Sequence, residues 1–375
     1  MRTKICERLG CEVPIFAFSH CRDVVVEVTK AGGFGVLGAA TVSPEQLEAE
    51  LRWIDSHVNG RPYGVDVIIP TTYEAAAEGV DADLQSLIPA EHRAFMDKIL
   101  TDAGVPQLPP DELARVRKEL TEGRGAMTPE GARALVRVAL RHPQVKMIVS
   151  ALGAPPLDVV AELRERKVLI GALCGKASHA VRHRAAGVEV IIAQGTEAGG
   201  HTGDISTMVL VPQVVEAAGD DIAVLAAGGI SRGSHIAAAL ALGAQGVWCG
   251  TIWLGTRESE LDPFEKSAVF ETKTENAVRR RARTGKTVRM IKSKLSEAWE
   301  QPGAPAYLPT PLQGVLYNEM HARVVRAQRK EFYSFPVGQA VGDVNSETSV
   351  REVMVRLQTE YLDAMERLSA LYGEG

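Results

Sequence analysis

The sequence predicts an α/β protein: a (β/α)8 TIM barrel with a helical insertion after strand 3 and a helical C-terminal extension. Three observations carry this. Short apolar runs alternate with helix-period segments eight times without a hairpin turn between them, which implies a parallel sheet, and eight strands close a barrel. The glycine-rich strand ends cluster after strands six to eight, whereas a doubly wound open sheet would place one dominant fingerprint after its first strand. The length, 375 residues, suits a barrel of about 250 residues with additions.

The expected strands are Pro14–Phe18, Gly35–Gly38, Gly64–Ile69, Val145–Ala151, Lys167–Leu173, Val188–Ala193, Ile222–Ala227 and Gly246–Cys249. Each is a short, nearly continuous apolar run, the pattern of a strand buried on both faces. Helical spacing follows in Val24–Ala31, Pro44–Ser56, Pro129–Leu140, Pro156–Glu165, Ala177–Ala186 and Ser234–Leu242. Residues 71–127 interrupt this rhythm with four prolines (Pro89, Pro106, Pro109, Pro110) and the charged helical stretches Ala90–Leu100 and Pro110–Leu120. So long an excursion is either a lid over the site or a helical decoration on the outside. The barrel is expected to span 1–260. Beyond it, 261–375 reads as a helical extension folded on the barrel, with Phe264–Thr272, Val288–Glu300, Gly314–Ala327 and Glu347–Leu371 around the proline-rich connector Gln301–Leu312.

Composition narrows the class. Apolar residues make up 45% and charged residues 24%, ordinary for a globular enzyme, and a net charge of -5 offers no general field for nucleic acid. The basic stretch Arg279–Arg283 is local. Five cysteines (Cys6, Cys11, Cys21, Cys174, Cys249) show no CxxC pairing or metal-ligand spacing, so reduced thiols, no metal and a cytoplasmic location are expected. No apolar run is long enough for a membrane span, and the N-terminus lacks the apolar core of a signal peptide. A homo-oligomer is compatible with the sequence.

The chemistry lies in three loops. Gln194-Gly-Thr-Glu-Ala-Gly-Gly-His-Thr-Gly203 follows the sixth strand directly. Gly199 and Gly200 let the chain turn sharply and lie against a ligand, which aims His201 over the C-terminal mouth as the group that moves a proton near neutral pH. Gln194 can hydrogen-bond a polar ring edge, and Glu197 is placed to orient the loop. After the seventh strand, Gly228-Gly229-Ile-Ser231-Arg232-Gly233 runs into a helix with Ser231 as a potential N-cap, and Gly250-Thr251 closes the eighth strand. Backbone N–H groups in two adjacent glycine loops, together with a helix N-terminus, form the phosphate cradle of many such barrels, and Thr251 adds a hydroxyl donor. The alternative is that each glycine merely ends its strand tightly. A phosphate-bearing cofactor beside an acid–base histidine is the reading that joins the three.

These motifs carry a resemblance. The histidine loop, then Ala226-Ala-Gly-Gly-Ile230, then Ala241-Leu-Gly-Ala-Gln-Gly-Val-Trp-Cys-Gly-Thr251, with Ala31-Gly-Gly-Phe-Gly-Val-Leu-Gly38 near the start, is similar to the nitronate monooxygenase (2-nitropropane dioxygenase) family of FMN-dependent TIM barrels. The similarity spans roughly 10–260, and flavin-dependent enoyl reductases share the histidine motif. It implies that Gln194 and Gly199 contact the flavin, that Gly229 and Trp248, Cys249, Gly250 and Thr251 hold its phosphate end, and that His201 is the acid–base residue beside the ring. Asp66 occupies a flavin-contacting position where the family usually has asparagine; an ionised carboxylate there cannot donate a hydrogen bond and disfavours electron-rich reduced flavin. His20, Cys21 and Arg22 would lie at the mouth, either to bind an anionic group or to cap the following helix. Cys174 and Lys176, after the fifth strand, carry the same two readings.

The resemblance implies an FMN oxidoreductase that oxidises alkyl nitronates with O2 to a carbonyl compound and nitrite. The alternative keeps FMN and takes an acyl-CoA thioester, such as a steroid-ring degradation intermediate, with NAD(P)H as a conceivable reductant. It is motivated by Asp66, by His20–Arg22 and by the cations Arg279, Arg280, Arg281, Arg283 and Lys286, whose other reading is a solvated helix face. Arg283-Thr-Gly-Lys286, Ser296-Glu-Ala-Trp299 and Leu308-Pro-Thr-Pro-Leu-Gln313 resemble a branch of the family associated with such thioesters. A third reading is a non-redox barrel that binds a phosphate ester.

Overall fold

A computed structural model describes residues 1–40, 42–69, 84–125 and 128–371. After helix α1 (Lys4–Leu9) come β1 (Ile15–Ser19), α2 (Arg22–Lys30), β2 (Phe34–Gly38), α3 (Pro44–His57), β3 (Tyr63–Val67), α4 (Ala90–Asp102), α5 (Pro110–Gly125), α6 (Pro129–Ala139), β4 (Val145–Ser150), α7 (Leu157–Glu165) and β5 (Leu169–Cys174). The chain continues through α8 (Ala177–Ala186), β6 (Val190–Gln194), the two-residue β7 (Gly200–His201), α9 (Thr207–Ala218), β8 (Ala223–Ala227), α10 (Gly233–Ala241) and β9 (Gly246–Cys249). Strands β1–β6, β8 and β9 close a barrel, with β9 pairing back on β1 in parallel through Phe16 and Trp248. The eight expected strands are these eight. Helix α9 carries Pro212 inside it; its buried face of Leu210, Val211, Val214 and Ala218 holds the helix despite the lost N–H.

The pleat sorts the side chains. Phe16, Phe34, Val36, Met147, Val149, Val190, Ile192, Leu225, Ala227 and Trp248 fill the barrel interior, while the alternate residues Ile15, Leu37, Val65, Ile148, Ile191, Val224 and Val247 pack beneath the helices. By the same parity Asp66 on β3 and Gln194 on β6 face the barrel axis near its C-terminal end.

The C-terminal part comprises α11 (Pro263–Glu271), β10 (Ala277–Arg280), β11 (Val288–Ile291), α12 (Lys294–Ala298), α13 (Leu312–Arg326) and α14 (Val350–Ala370). It is not wholly helical. Where a helix was expected over Val288–Glu300, residues 288–291 form a strand with neighbours on both edges, in the order β10-β11-β7, and Ser293 starts α12 with a reciprocal capping box. Pairing on two edges outweighs the helical spacing of the same residues. The cations Arg279–Lys286 therefore sit on a β-hairpin rather than a helix face.

A second apolar core joins the insertion to this extension: Met96 and Leu100 from α4 pack with Trp299, Leu316, Tyr317, Val324 and Val337. Buried Glu319 on α13 is met by Arg117 at 2.8 Å and Arg93 at 3.3 Å, so both insertion helices rest on α13. Residues 71–83 and 126–127 of the excursion lie outside the described residues. Helix α14 returns to the barrel, packing between α10 and α2 and burying Val350, Val353, Met354 and Leu357, the place of an eighth barrel helix.

Candidate active site

The loop after β6 is folded by its own acid. The Glu197 carboxylate accepts from the Thr207 N–H at 3.0 Å and the Thr207 hydroxyl at 2.8 Å, capping α9 and closing the loop. Glu197 thus orients the loop as its position suggested. The next support comes from far along the chain. The Gln339 N–H donates to the Glu197 carbonyl at 2.8 Å, and the Gly338 N–H donates to the Thr251 hydroxyl oxygen at 2.8 Å. The segment Val337–Gln339 therefore ties the β6 loop to the β9 loop. Gly199 lies flat against this segment: an added Cβ would sit 2.7 Å from the Val337 carbonyl carbon. Its glycine is required by packing on the protein's own backbone.

The hairpin makes the remaining connection. β7 pairs antiparallel with β11, placing His201 opposite Val288. Arg289, 7% exposed, donates from Nε to the Thr196 carbonyl at 2.8 Å and from Nη1 to the Ala277 carbonyl at 2.5 Å. Arg279 pairs with Asp204 at 2.5 Å. The loop carrying the histidine is thus clamped from both sides.

His201 is exposed, and its Nε2 lies 3.0 Å from the Thr284 Oγ1. Desolvation by the surrounding walls, then the charges of Lys286 and Arg283, hold its pKa below the usual 6.5. At neutral pH the ring is therefore a neutral base. No carboxylate pairs with Arg283 or Lys286 among the described residues: Arg283 donates to the Ser334 carbonyl at 3.4 Å and lies 5.4 Å from the Tyr317 ring centre.

The two glycine loops open toward the same face. Gly228 and Gly229 both take the left-handed conformation, φ 101 and 73°. The N–H groups of Gly228, Gly229, Gly250 and Thr251 meet no acceptor among the described residues. The Thr251 hydroxyl accepts from Gly338 and keeps its own proton to donate. Gly200, φ 77°, has open space where a Cβ would stand. The N-terminus of α10 is different. Ser231 does not cap it: its hydroxyl donates to Asp343 at 2.6 Å, Arg232 holds the cap position and pairs with the same Asp343, and the Gly233 N–H donates to Glu360 of α14 at 2.7 Å. The helix end expected to seat an anion already holds one of the protein's own carboxylates.

Other expected residues are distributed as follows. Asp66 is 3% exposed with no side-chain partner among the described residues, and burial raises its pKa well above the carboxylate range. Burial thus favours the protonated carboxyl, which can donate a hydrogen bond where an ionised one cannot. Trp248 faces inward and stacks on Phe18 with ring centres 5.9 Å apart. Cys249 faces outward, its carbonyl taken by the Trp253 indole at 2.8 Å and its thiol pushed up to about 12 by burial. Of the four residues 248–251, Gly250 and Thr251 are the two whose backbone N–H groups meet no acceptor among the described residues.

His20 donates from Nδ1 to the Gly38 carbonyl at 2.9 Å. Cys21 stands at the N-cap of α2, its thiol buried and 3.0 Å from the Glu258 carbonyl. Arg22 turns to α3, pairing with Glu50 at 3.3 Å and lying over Trp53. These three residues line a cleft of about 550 Å³ together with Asp23, Glu50, Glu119 and Glu260. Four carboxylates surround the one arginine there, an environment that disfavours an anion. Lys176 holds the N-cap position of α8, and Cys174 is buried with its thiol pushed up to about 12.

Comparison with known proteins agrees with this architecture. The nitronate monooxygenase family pattern matches residues 19–360. The chain is 45% identical to "Putative monooxygenase Rv1533" of Mycobacterium tuberculosis, covering 99% of each chain. It is 25% identical to "Probable nitronate monooxygenase" of Staphylococcus haemolyticus, covering 94% of this chain and 95% of that one. A crystal structure of nitroalkane oxidase from Streptomyces ansochromogenes superimposes with a TM-score of 0.78 at 27% identity, covering 97% of this chain and 99% of that one.

Proposed function

Because the chain belongs to the nitronate monooxygenase family and is an oxidoreductase of that kind, we propose that it binds FMN and oxidises alkyl nitronates with O2 to a carbonyl compound and nitrite. One observation carries the reading: four backbone N–H groups that meet no acceptor among the described residues, in two adjacent glycine loops, share the barrel mouth with a neutral, exposed imidazole. A dianionic phosphate is the group such a set of donors accommodates, and the Thr251 hydroxyl adds one more. Gln194 and the carboxyl of Asp66, which burial favours in its protonated form, both lie on the axial face as polar groups for a flavin ring. FMN would supply the two-electron oxidation and the reaction with oxygen. The chain's own residues hold and orient, and His201 accepts the proton from the carbon beside a neutral nitro group or steers the nitronate anion with the help of Lys286 and Arg283.

A second reading, an acyl-CoA thioester as substrate, is favoured by those same cations, which lack carboxylate partners among the described residues. Anaerobic titration of the purified protein separates the two. Bleaching of the visible flavin band by nitronates but not by short acyl-CoAs supports the first, and the reverse supports the second. An unaltered nitronate turnover in His201→Asn would remove the imidazole from either scheme.

A further inference from the structure

We propose that Thr284 is a positioning residue for His201: its hydroxyl accepts a hydrogen bond from Nε2–H, fixes the imidazole in that tautomer and leaves Nδ1 to take the substrate proton. This rests on His201 being the acid–base group, as read above, although the hydrogen-bond pattern is a property of the chain alone.

Thr284 lies in the turn between β10 and β11. Its Oγ1 is 3.0 Å from His201 Nε2, 3.2 Å from the Lys286 carbonyl oxygen and 3.3 Å from the Lys286 nitrogen. A hydroxyl has one proton and two acceptor sites. If the proton goes to the Lys286 carbonyl, the two acceptor sites take the Lys286 N–H and the Nε2–H, and every group is matched. If the proton goes to Nε2, the Lys286 carbonyl loses this donor and the ring becomes the Nδ1–H tautomer. Its single basic nitrogen is then occupied by Thr284, and it cannot accept a substrate proton without breaking that bond.

The first arrangement also survives the reaction. A C–H bond beside the activating group breaks, its electron pair remains on the substrate as the nitronate or enolate, and the proton moves to Nδ1. An imidazolium donates from both nitrogens, so the Nε2–H bond to Thr284 is kept throughout. Among the described residues Nδ1 has no hydrogen-bond partner. The turn itself is held firmly. The Thr310 hydroxyl donates to the Thr284 carbonyl at 2.6 Å, and a Cβ on Gly285, φ 80°, would clash with the Leu308 carbonyl oxygen. Pairing of His201 with Val288 fixes the partner backbone. The hydroxyl is thus presented by a preformed scaffold.

The test is nitrogen-15 NMR of histidine-labelled, flavin-loaded protein, wild type against Thr284→Val and Thr284→Ser, with steady-state kinetics on a neutral nitroalkane across pH. We expect the Nε2–H tautomer in wild type and Thr284→Ser. Thr284→Val should give a tautomer mixture, kcat lowered about 10-fold with KM nearly constant, and a displaced acid limb of the pH profile. An Nδ1–H tautomer in wild type overturns the proposal, and so does a Thr284→Val protein with unchanged tautomer and kcat. If kcat withstands His201→Asn as well, the acid–base reading itself has failed.

Discussion

Replacing Arg289 with methionine tests whether the C-terminal hairpin holds the histidine loop. The buried guanidinium serves the Thr196 carbonyl at 2.8 Å and the Ala277 carbonyl at 2.5 Å, so it joins the β6 loop to β10. Methionine keeps most of the stem volume and removes both donors. Two acceptors left without partners cost about 1–3 kcal/mol each. The cation's own burial, opposed further by nearby Arg279, offsets part of this, so we expect a net loss of about 2–3 kcal/mol. Thr196 lies five residues before His201, so the damage should extend to the site. Thermal unfolding with and without added FMN measures the stability term, and flavin fluorescence on dilution measures retention. Arg289→Lys, which can serve one carbonyl, should fall between. A methionine variant that melts with the wild type and keeps its flavin would refute the claim that this contact organises the loop.

Three further outcomes follow from single contacts. Gly199→Ala drives a Cβ to 2.7 Å from the backbone of Val337; we expect a loss of about 1–3 kcal/mol and weaker FMN binding by fluorescence titration, and wild-type affinity would contradict the packing argument. Asp66 is raised by burial, so the stability it contributes is greatest at low pH and is lost as pH rises through its folded-state pKa. Asp66→Asn should abolish that loss, seen as a flatter dependence of unfolding free energy and flavin retention on pH; a steeper one would be against a neutral carboxyl. Lys286→Met removes one of the charges that depress His201, so the acid limb of kcat/KM should move to higher pH, and movement to lower pH would reverse the electrostatic assignment.

The barrel was legible because its strands are near-continuous apolar runs and some helix starts carry a local signal, as in the Ser43–Gln46 capping box with Pro44 that opens α3. His201 was legible because glycines after a strand end mark a functional loop. What surrounds it was not. Arg289, Val337–Gly338 and Thr284 act over separations of about 80 to 140 residues, and no local pattern announces a contact of that kind. Val288–Ile291 has a spacing that serves helix and strand alike, and pairing with β7 decides between them. The N-terminus of α10 looked like an anion seat, and nothing near it in sequence signals Glu360 on α14. The partners of Arg22, Glu50 and Trp53, belong to the next helix, α3, and nothing near Arg22 in sequence signals them.

The most direct measurement is the identity of whatever chromophore acid denaturation releases from the purified protein. The account predicts a yellow supernatant whose absorption and mass are those of FMN, in a ratio near one per chain. A colourless supernatant from well-folded protein, which stays colourless after incubation with FMN, would contradict it.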